Sequence, residues 1–213
     1  MSWLSYVFPQ VVARYSTPYN KDIRVVEEQR KYKLLVNGAR QSGEFIKSLW
    51  QEAFAVLGVI PSPEIRSILV LGVAGGTVIH LLREIYPNAV ITAVDIDERM
   101  IEIGKKYFSL SSISGLTLTV ADARNYVMEQ KKKWDLVVID LYIGATIPPF
   151  VGEEQFLRAL KTIMTAHGIL LINYLYELEY RRLSDIYLAK LQNIFSRVID
   201  TKIHFNRFFF VVK

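Results

Sequence analysis

Cysteine is absent from the 213 residues, and the three histidines, His80, His167 and His204, stand far apart. Disulfides and thiolate metal sites are therefore excluded, and with so few soft or imidazole ligands no metal site is expected. Each histidine reads as a surface or locally bonded side chain. Long apolar runs are missing too: none reaches the roughly 20 residues that a bilayer-spanning helix needs. The N-terminus lacks the charged start and cleavage site of a secretory signal, so a cytoplasmic protein with no membrane contact is expected. Low-complexity segments and internal repeats are also lacking.

What is present suits one sizeable α/β core: 51% of the residues are apolar, ample for a chain of this length. The net charge of +5 is compatible with an anionic partner. Lys131-Lys132-Lys133 is nonetheless read as the solvated end of a helix, and nucleic acid is not expected as a partner. An adenine-methylating enzyme would also carry an Asp/Asn-Pro-Pro-aromatic motif after its fourth strand. Here that position reads Asp140-Leu141-Tyr142-Ile143, and Pro148-Pro149-Phe150 has no acid or amide before it.

The most informative stretch runs from Ile68 to Asp97. Ile68-Leu69-Val70-Leu71 is an unbroken apolar run suited to a strand buried on both faces of a parallel sheet. Gly72, Gly75 and Gly76 then allow a sharp turn close to a ligand, Thr77 offers a helix cap, and Val78, Ile79, Leu81, Leu82 and Ile85 recur at helical spacing. Pro87-Asn88 stops that helix before an apolar strand, Val90 to Val94, which ends in Asp95. An acid about 20 residues beyond a glycine turn is where a ribose offers two hydroxyls to one carboxylate. Ala74 stands where a dinucleotide fingerprint has its second glycine, which favours a nucleoside without phosphates over NAD or FAD.

On either side the pattern keeps alternating. Trp3, Val7, Phe8, Val11 and Val12 are spaced as a helical face broken by Pro9. Ile23 to Glu28 and Tyr32 to Val36 read as a β-hairpin, followed by a turn at Asn37-Gly38. A helix from Glu44 to Leu57 carries Phe45, Leu49, Ala53 and Phe54, with Gly58, Pro61 and Pro63 after it, so residues 1–58 are expected to precede a nucleoside-binding domain over 59–213. Asp97 is expected to cap a helix running to Phe108 with Met100, Ile101, Ile103 and Tyr107 inward. Leu116 to Val120 and Leu136 to Ile139 supply further strands, followed by Asp122 and Asp140. A helix over Glu154 to Met164, a strand over Ile169 to Asn173, a helix over Leu183 to Phe195 and strands over Ser196 to Asp200 and Phe205 to Val212 complete the chain. Asp95, Asp122 and Asp140 are thus delivered to the carboxyl edge of one sheet. Clustered carboxylates repel one another, so three beside a glycine turn read as a site.

In this order of motifs the chain resembles the spermidine synthase family of polyamine aminopropyltransferases, within the class I adenosylmethionine-dependent methyltransferases, from about Ile23 onward. Asn37-Gly38-Ala39-Arg40-Gln41-Ser42 is similar to the family's stretch leading to a donor-site glutamine, and Trp50-Gln51-Glu52 to its Tyr-His/Gln-Glu signature. Gly72 to Thr77 resembles the Gly-Leu-Gly-Gly-Gly-Ser loop of spermidine-synthase-like proteins. The resemblance implies a Rossmann-like fold with a seven-stranded, mostly parallel sheet and a small N-terminal β-hairpin, and a homodimer. It implies donor contacts from Gln41, Gln51, Gly72, Gly75, Gly76, Asp95, Asp122 and Asp140. Asp95 falls on the ribose-binding acid, Asp122 on the acid facing the adenine amino group, and Asp140 on the first, catalytic aspartate of the active-site loop. The donor implied is S-adenosylmethionine or its decarboxylated form.

Two acids of the family pattern are missing. Gly75 takes the place of the aspartate that holds the donor's aminopropyl amine, and Ile143 that of the second loop aspartate; Trp50 also replaces the usual tyrosine. An ammonium left unpaired there would cost about 3 to 5 kcal/mol. Methyl transfer from S-adenosylmethionine to an unidentified acceptor is therefore the leading expectation, with Gly75→Asp expected to turn the preference toward the decarboxylated donor. Aminopropyl transfer with altered acceptor binding, and a non-catalytic nucleoside-binding or interaction protein, are the alternatives.

Overall fold

The computed structural model describes residues 8–213. It begins with four antiparallel strands in the order β1 (Gln10–Tyr15), β2 (Ile23–Glu28), β3 (Lys31–Val36) and β4 (Ala39–Ser42). The hairpin expected from the sequence is the central pair of this sheet, turned at Gln29 and Arg30, both with positive φ. Val11 and Val12 lie on an edge strand and not on a helix, since β1 pairs with β2 from Gln10 to Tyr15; Trp3 and Val7 lie outside the described residues. Ile23, Val25, Leu34 and Val36 alternate onto one face of the sheet and pack on Met100 and Ile103, as a period of two requires.

Helix α1 (Glu44–Leu57) follows and ends at Gly58, whose φ of 70° closes it. Leu49, Trp50, Ala53, Phe54 and Leu57 are buried in the same cluster as the seven-stranded sheet, while Phe45 remains exposed. The large sheet is built by β5 (Ser67–Leu71), β6 (Val90–Asp95), β7 (Leu116–Val120), β8 (Trp134–Ile139), β9 (Met164–Leu175), β10 (Arg197–Ile203) and β11 (Asn206–Val212). Its order is β10-β11-β9-β8-β5-β6-β7, with only β11 antiparallel to its neighbours. Between the strands run α2 (Thr77–Ile85), α3 (Glu98–Tyr107), α4 (Ala123–Glu129), α5 (Glu154–Ile163) and α6 (Tyr180–Ile194).

The apolar run of β5 divides by parity. Ile68 and Val70 join the cluster shared with α1 and α2, and Leu69 and Leu71 the one shared with α5 and α6, as expected of a strand covered on both faces. Because β6 and β7 lie on one side of β5 and β8 and β9 on the other, the strand order reverses at β5. Crevices in doubly wound sheets open at the carboxyl ends of the strands beside such a reversal.

Candidate active site

Asp95, Asp122 and Asp140 sit just past or at the ends of β6, β7 and β8, and all three line one cleft with Gly72, Val73, Ala74 and Gln41. The turn after β5 is shaped by close approach. A Cβ on Gly72 would come within 2.1 Å of the Asp140 carbonyl oxygen, so only glycine, here at φ 96°, lets the two chain segments pass. Ala74 occupies the left-handed region at φ 44°, a strained position for a residue with a Cβ.

Asp95 is the anchor of this turn. One carboxylate oxygen accepts from the backbone N–H of Val73 at 2.9 Å and of Ala74 at 3.4 Å, and the other from Asp97 at 2.9 Å. Burial raises its pKa, and those three N–H donors oppose the shift. Asp122 caps α4 through Asn125 N–H at 2.9 Å, so it combines a helix cap with a place in the cleft. Ile96, Met100, Leu141 and Phe150 add apolar wall suited to a flat base.

Asp140 has a different environment. It lines the cleft and is half-buried. Desolvation pushes its carboxyl up to about 6 against the pull of the Asn173 amide and the Trp50 indole N–H. Asn173 Nδ2 donates to Asp140 at 2.9 Å, and Asn173 in turn accepts from Asn206 Nδ2 at 2.8 Å. The Trp50 contact falls outside hydrogen-bond geometry, and the buried indole N–H has no other partner among the described residues. Tyr142 donates its hydroxyl to the Asn173 carbonyl at 3.1 Å, and desolvation holds the phenol well above the ordinary value. A second cavity of about 390 Å³ opens on the far side of Asp140, sharing Gln41, Asp140, Tyr142 and Gly144 with the first, which measures about 100 Å³. Together they reach the size of a small-molecule site.

A family model described as the spermine/spermidine synthase domain matches residues 47–203, most of the chain. The chain belongs to the spermine/spermidine synthase family. Among curated relatives, a polyamine aminopropyltransferase of Vibrio vulnificus is 27% identical over 149 residues, covering 68% of this chain and 49% of that protein. The human eEF1A lysine and N-terminal methyltransferase is 28% identical over 137 residues, covering 56% of this chain and 20% of that protein. The chain thus spans about half the length of the first relative and a fifth of the second. A probable spermidine synthase from Corynebacterium glutamicum superposes with a TM-score of 0.80 at 16% identity, covering 95% of this chain and 80% of that one. Human methyltransferase-like protein 13 in complex with SAH gives 0.64 at 24% identity, covering 80% and 82%. Both carry the same Rossmann-like fold. The relatives of this chain are therefore transferases of two kinds.

Of the residues that the spermidine synthase resemblance singled out, Gln41, Gly72, Asp95, Asp122 and Asp140 meet at the cleft. Three do not line it. Gln51 is exposed on α1, because α1 turns its neighbour Trp50 inward against Phe54 and Phe208. Gly75 faces β4: its N–H donates to Ser42 Oγ at 3.0 Å, and a Cβ there would lie 2.4 Å from that oxygen. Gly76 is the left-handed cap of α2, and a Cβ on it would strike Leu110. Thr77 is the first helical residue and not the cap, and its hydroxyl donates to Ser42. Gln41 also has a local duty, donating to the Gly144 carbonyl at 2.8 Å.

Asn20 escaped the sequence reading. It lines the cleft, is 5% exposed and donates to Asp97 at 3.2 Å, yet its buried side-chain oxygen has no partner among the described residues. A buried acceptor without a donor is costly unless something supplies one. The only sequence signal was an amide in the loop just ahead of the hairpin.

Proposed function

We propose that the chain is a transferase that holds S-adenosylmethionine in the first cleft and passes its methyl group to an amine in the adjoining cavity. The cleft fits such a nucleoside: Asp95 and the unpartnered oxygen of Asn20 can accept from ribose hydroxyls, Asp122 can accept from the base, and the apolar wall can cover the ring. When bound, the sulfonium supplies an activated methyl carbon, so alignment carries most of the catalysis. Asp140 orients the acceptor nitrogen and takes up its proton, a role for which a pKa of about 6 is well placed near neutral pH.

The observation that carries the choice of methyl transfer is that Asp140 is the one carboxylate common to both cavities among the described residues, with apolar Ile143 beside it in the cleft. A donor ending in an ammonium alone has Asp140 but no second loop acid to hold it there, whereas the intact donor carries its own carboxylate beside its ammonium. Aminopropyl transfer is the second reading, favoured by the names of relatives such as the Vibrio protein. Competitive calorimetry with S-adenosylmethionine and its decarboxylated form separates them. The parent should bind the intact donor at least as tightly, and Ile143→Asp should shift relative affinity toward the decarboxylated donor about tenfold. Clear preference of the parent for the decarboxylated donor, or conversion of putrescine to spermidine, would move the assignment to aminopropyl transfer.

A further inference from the structure

The second cavity runs outward from Asp140 over a polar floor of Tyr142, Asn173 and Asn206, between apolar walls that include Ile46, Leu49 and Leu175. An ammonium or amine on an apolar stem matches that profile. At the outer part stand Glu177 and the exposed Arg40, whose guanidinium lies 5.4 Å from the centroid of the Phe45 ring. Exposed apolar side chains stand near this charged pair. Phe205 is 63% exposed at the tip of the β10–β11 hairpin, Leu178 is 84% exposed beside Glu177, and Phe45 sits 5.8 Å, ring to ring, from His204 of the same tip. The Tyr176 N–H to Phe205 carbonyl bond, 2.7 Å, joins the segment carrying Leu178 to that hairpin. Leu178 also holds φ 49°, a region that a branched apolar residue adopts only under strain.

We infer that this groove receives an amine carried by a polypeptide, a lysine side chain or an N-terminus, whose neighbouring residues rest on Phe45, Leu178 and Phe205. The inference rests on the transferase reading above and names its acceptor. A free diamine would bring a lone ammonium to an outer part that carries the Arg40 guanidinium as well as the Glu177 carboxylate. A peptide instead presents a carbonyl that Arg40 can donate to and an N–H that Glu177 can accept from. A small diamine also has nothing to place on three exposed apolar side chains, whereas peptide flanks bury them. In the transfer step the neutral amine's lone pair forms the N–C bond, and the C–S bond breaks with its electron pair going to sulfur, leaving a thioether. The amine's proton passes to Asp140 or to water.

The test uses the purified chain with S-adenosylmethionine and two peptide pools with degenerate positions beside the reactive amine: one N-acetylated with a single lysine, one lysine-free with an open N-terminus. Methylated peptides are sequenced by mass spectrometry, putrescine is run alongside, and S-adenosylhomocysteine binding is measured by calorimetry. Methylation in either pool with apolar flanks enriched is expected, and the reacting pool tells lysine from N-terminus. Leu178→Ser and Phe205→Ser should each raise KM for a selected peptide at least fivefold, leaving kcat and S-adenosylhomocysteine affinity unchanged. Normal nucleoside binding with no methylated peptide, with product from putrescine alone, or with no flank preference overturns the polypeptide acceptor. Absence of nucleoside binding brings down the donor reading itself.

Discussion

Asp140→Asn should make the fold more stable at neutral pH while removing the proton acceptor. The carboxyl titrates at about 6 in the folded chain, against 3.8 for an unperturbed aspartate, because desolvation disfavours its charged form. A pKa difference of one between folded and unfolded chain is worth about 1.4 kcal/mol, so carrying this charge with little water around it costs the native state about 3 kcal/mol once pH exceeds 6. The sign follows from the raised value: below 3.8 both states hold the proton and there is no cost, between 3.8 and about 6 the cost grows, and above 6 it is constant. Asparagine keeps an oxygen for Asn173 Nδ2 but gives up the charge-assisted part of that bond, about 1 kcal/mol. The net gain is about 2 kcal/mol at pH 7.5, which for a chain of this size raises Tm by about 4 to 8 °C. Urea unfolding of parent and variant, followed by circular dichroism from pH 7.5 down to pH 4.5, reads it directly. The gap should shrink toward acid as the parent protonates. A variant no more stable than the parent at pH 7.5, or a gap independent of pH, would refute the desolvated-charge account.

Two further substitutions probe the turn. Asp95→Ala should weaken S-adenosylmethionine binding at least tenfold by calorimetry, since a bond to a charged group is worth about 1.5 to 3 kcal/mol; unchanged affinity would remove Asp95 from the site. Gly75→Asp should lower stability by about 1 to 3 kcal/mol through overlap with Ser42, and should not reverse donor preference. Unaltered urea stability together with a reversed preference would mean that the side chain at 75 reaches the cleft after all.

The strand and helix alternation of the large sheet was legible because buried parallel strands and amphipathic helices carry opposite apolar periods, and β5, β6, α1 and α3 follow them closely. The acids were legible because each ends a strand. β1 was misread because Phe8, Val11 and Val12 also satisfy helical spacing, and an edge strand with one exposed face gives a weak alternation. Helix α4 was read only through its supposed end at Lys131-Lys132-Lys133, but it stops at Glu129 and the three lysines lie in the connection to β8; its seven residues, with only Ala123 and Val127 buried, are too short for a periodic stripe. Side-chain direction was the least legible property. Trp50 and Gln51 are adjacent in the family signature, but which of the two turns inward depends on the phase of α1 against Phe208, a residue far along the chain.

Ser42 and Gln41, neighbours at the end of β4, have hands on both halves of the site: Ser42 on the turn through Gly75 and Thr77, Gln41 on the opposite loop through Gly144. Asn20, in the loop before β2, adds a third tie through Asp97. The small sheet therefore acts on the large one as a clasp and not as an appendage. A chain that kept the glycine turn and the three acids but lost these ties would retain every residue of the nucleoside motif with nothing to hold its two loops at a fixed separation. Inheritance of the motif and inheritance of the binding site are in that sense separate events in such a lineage.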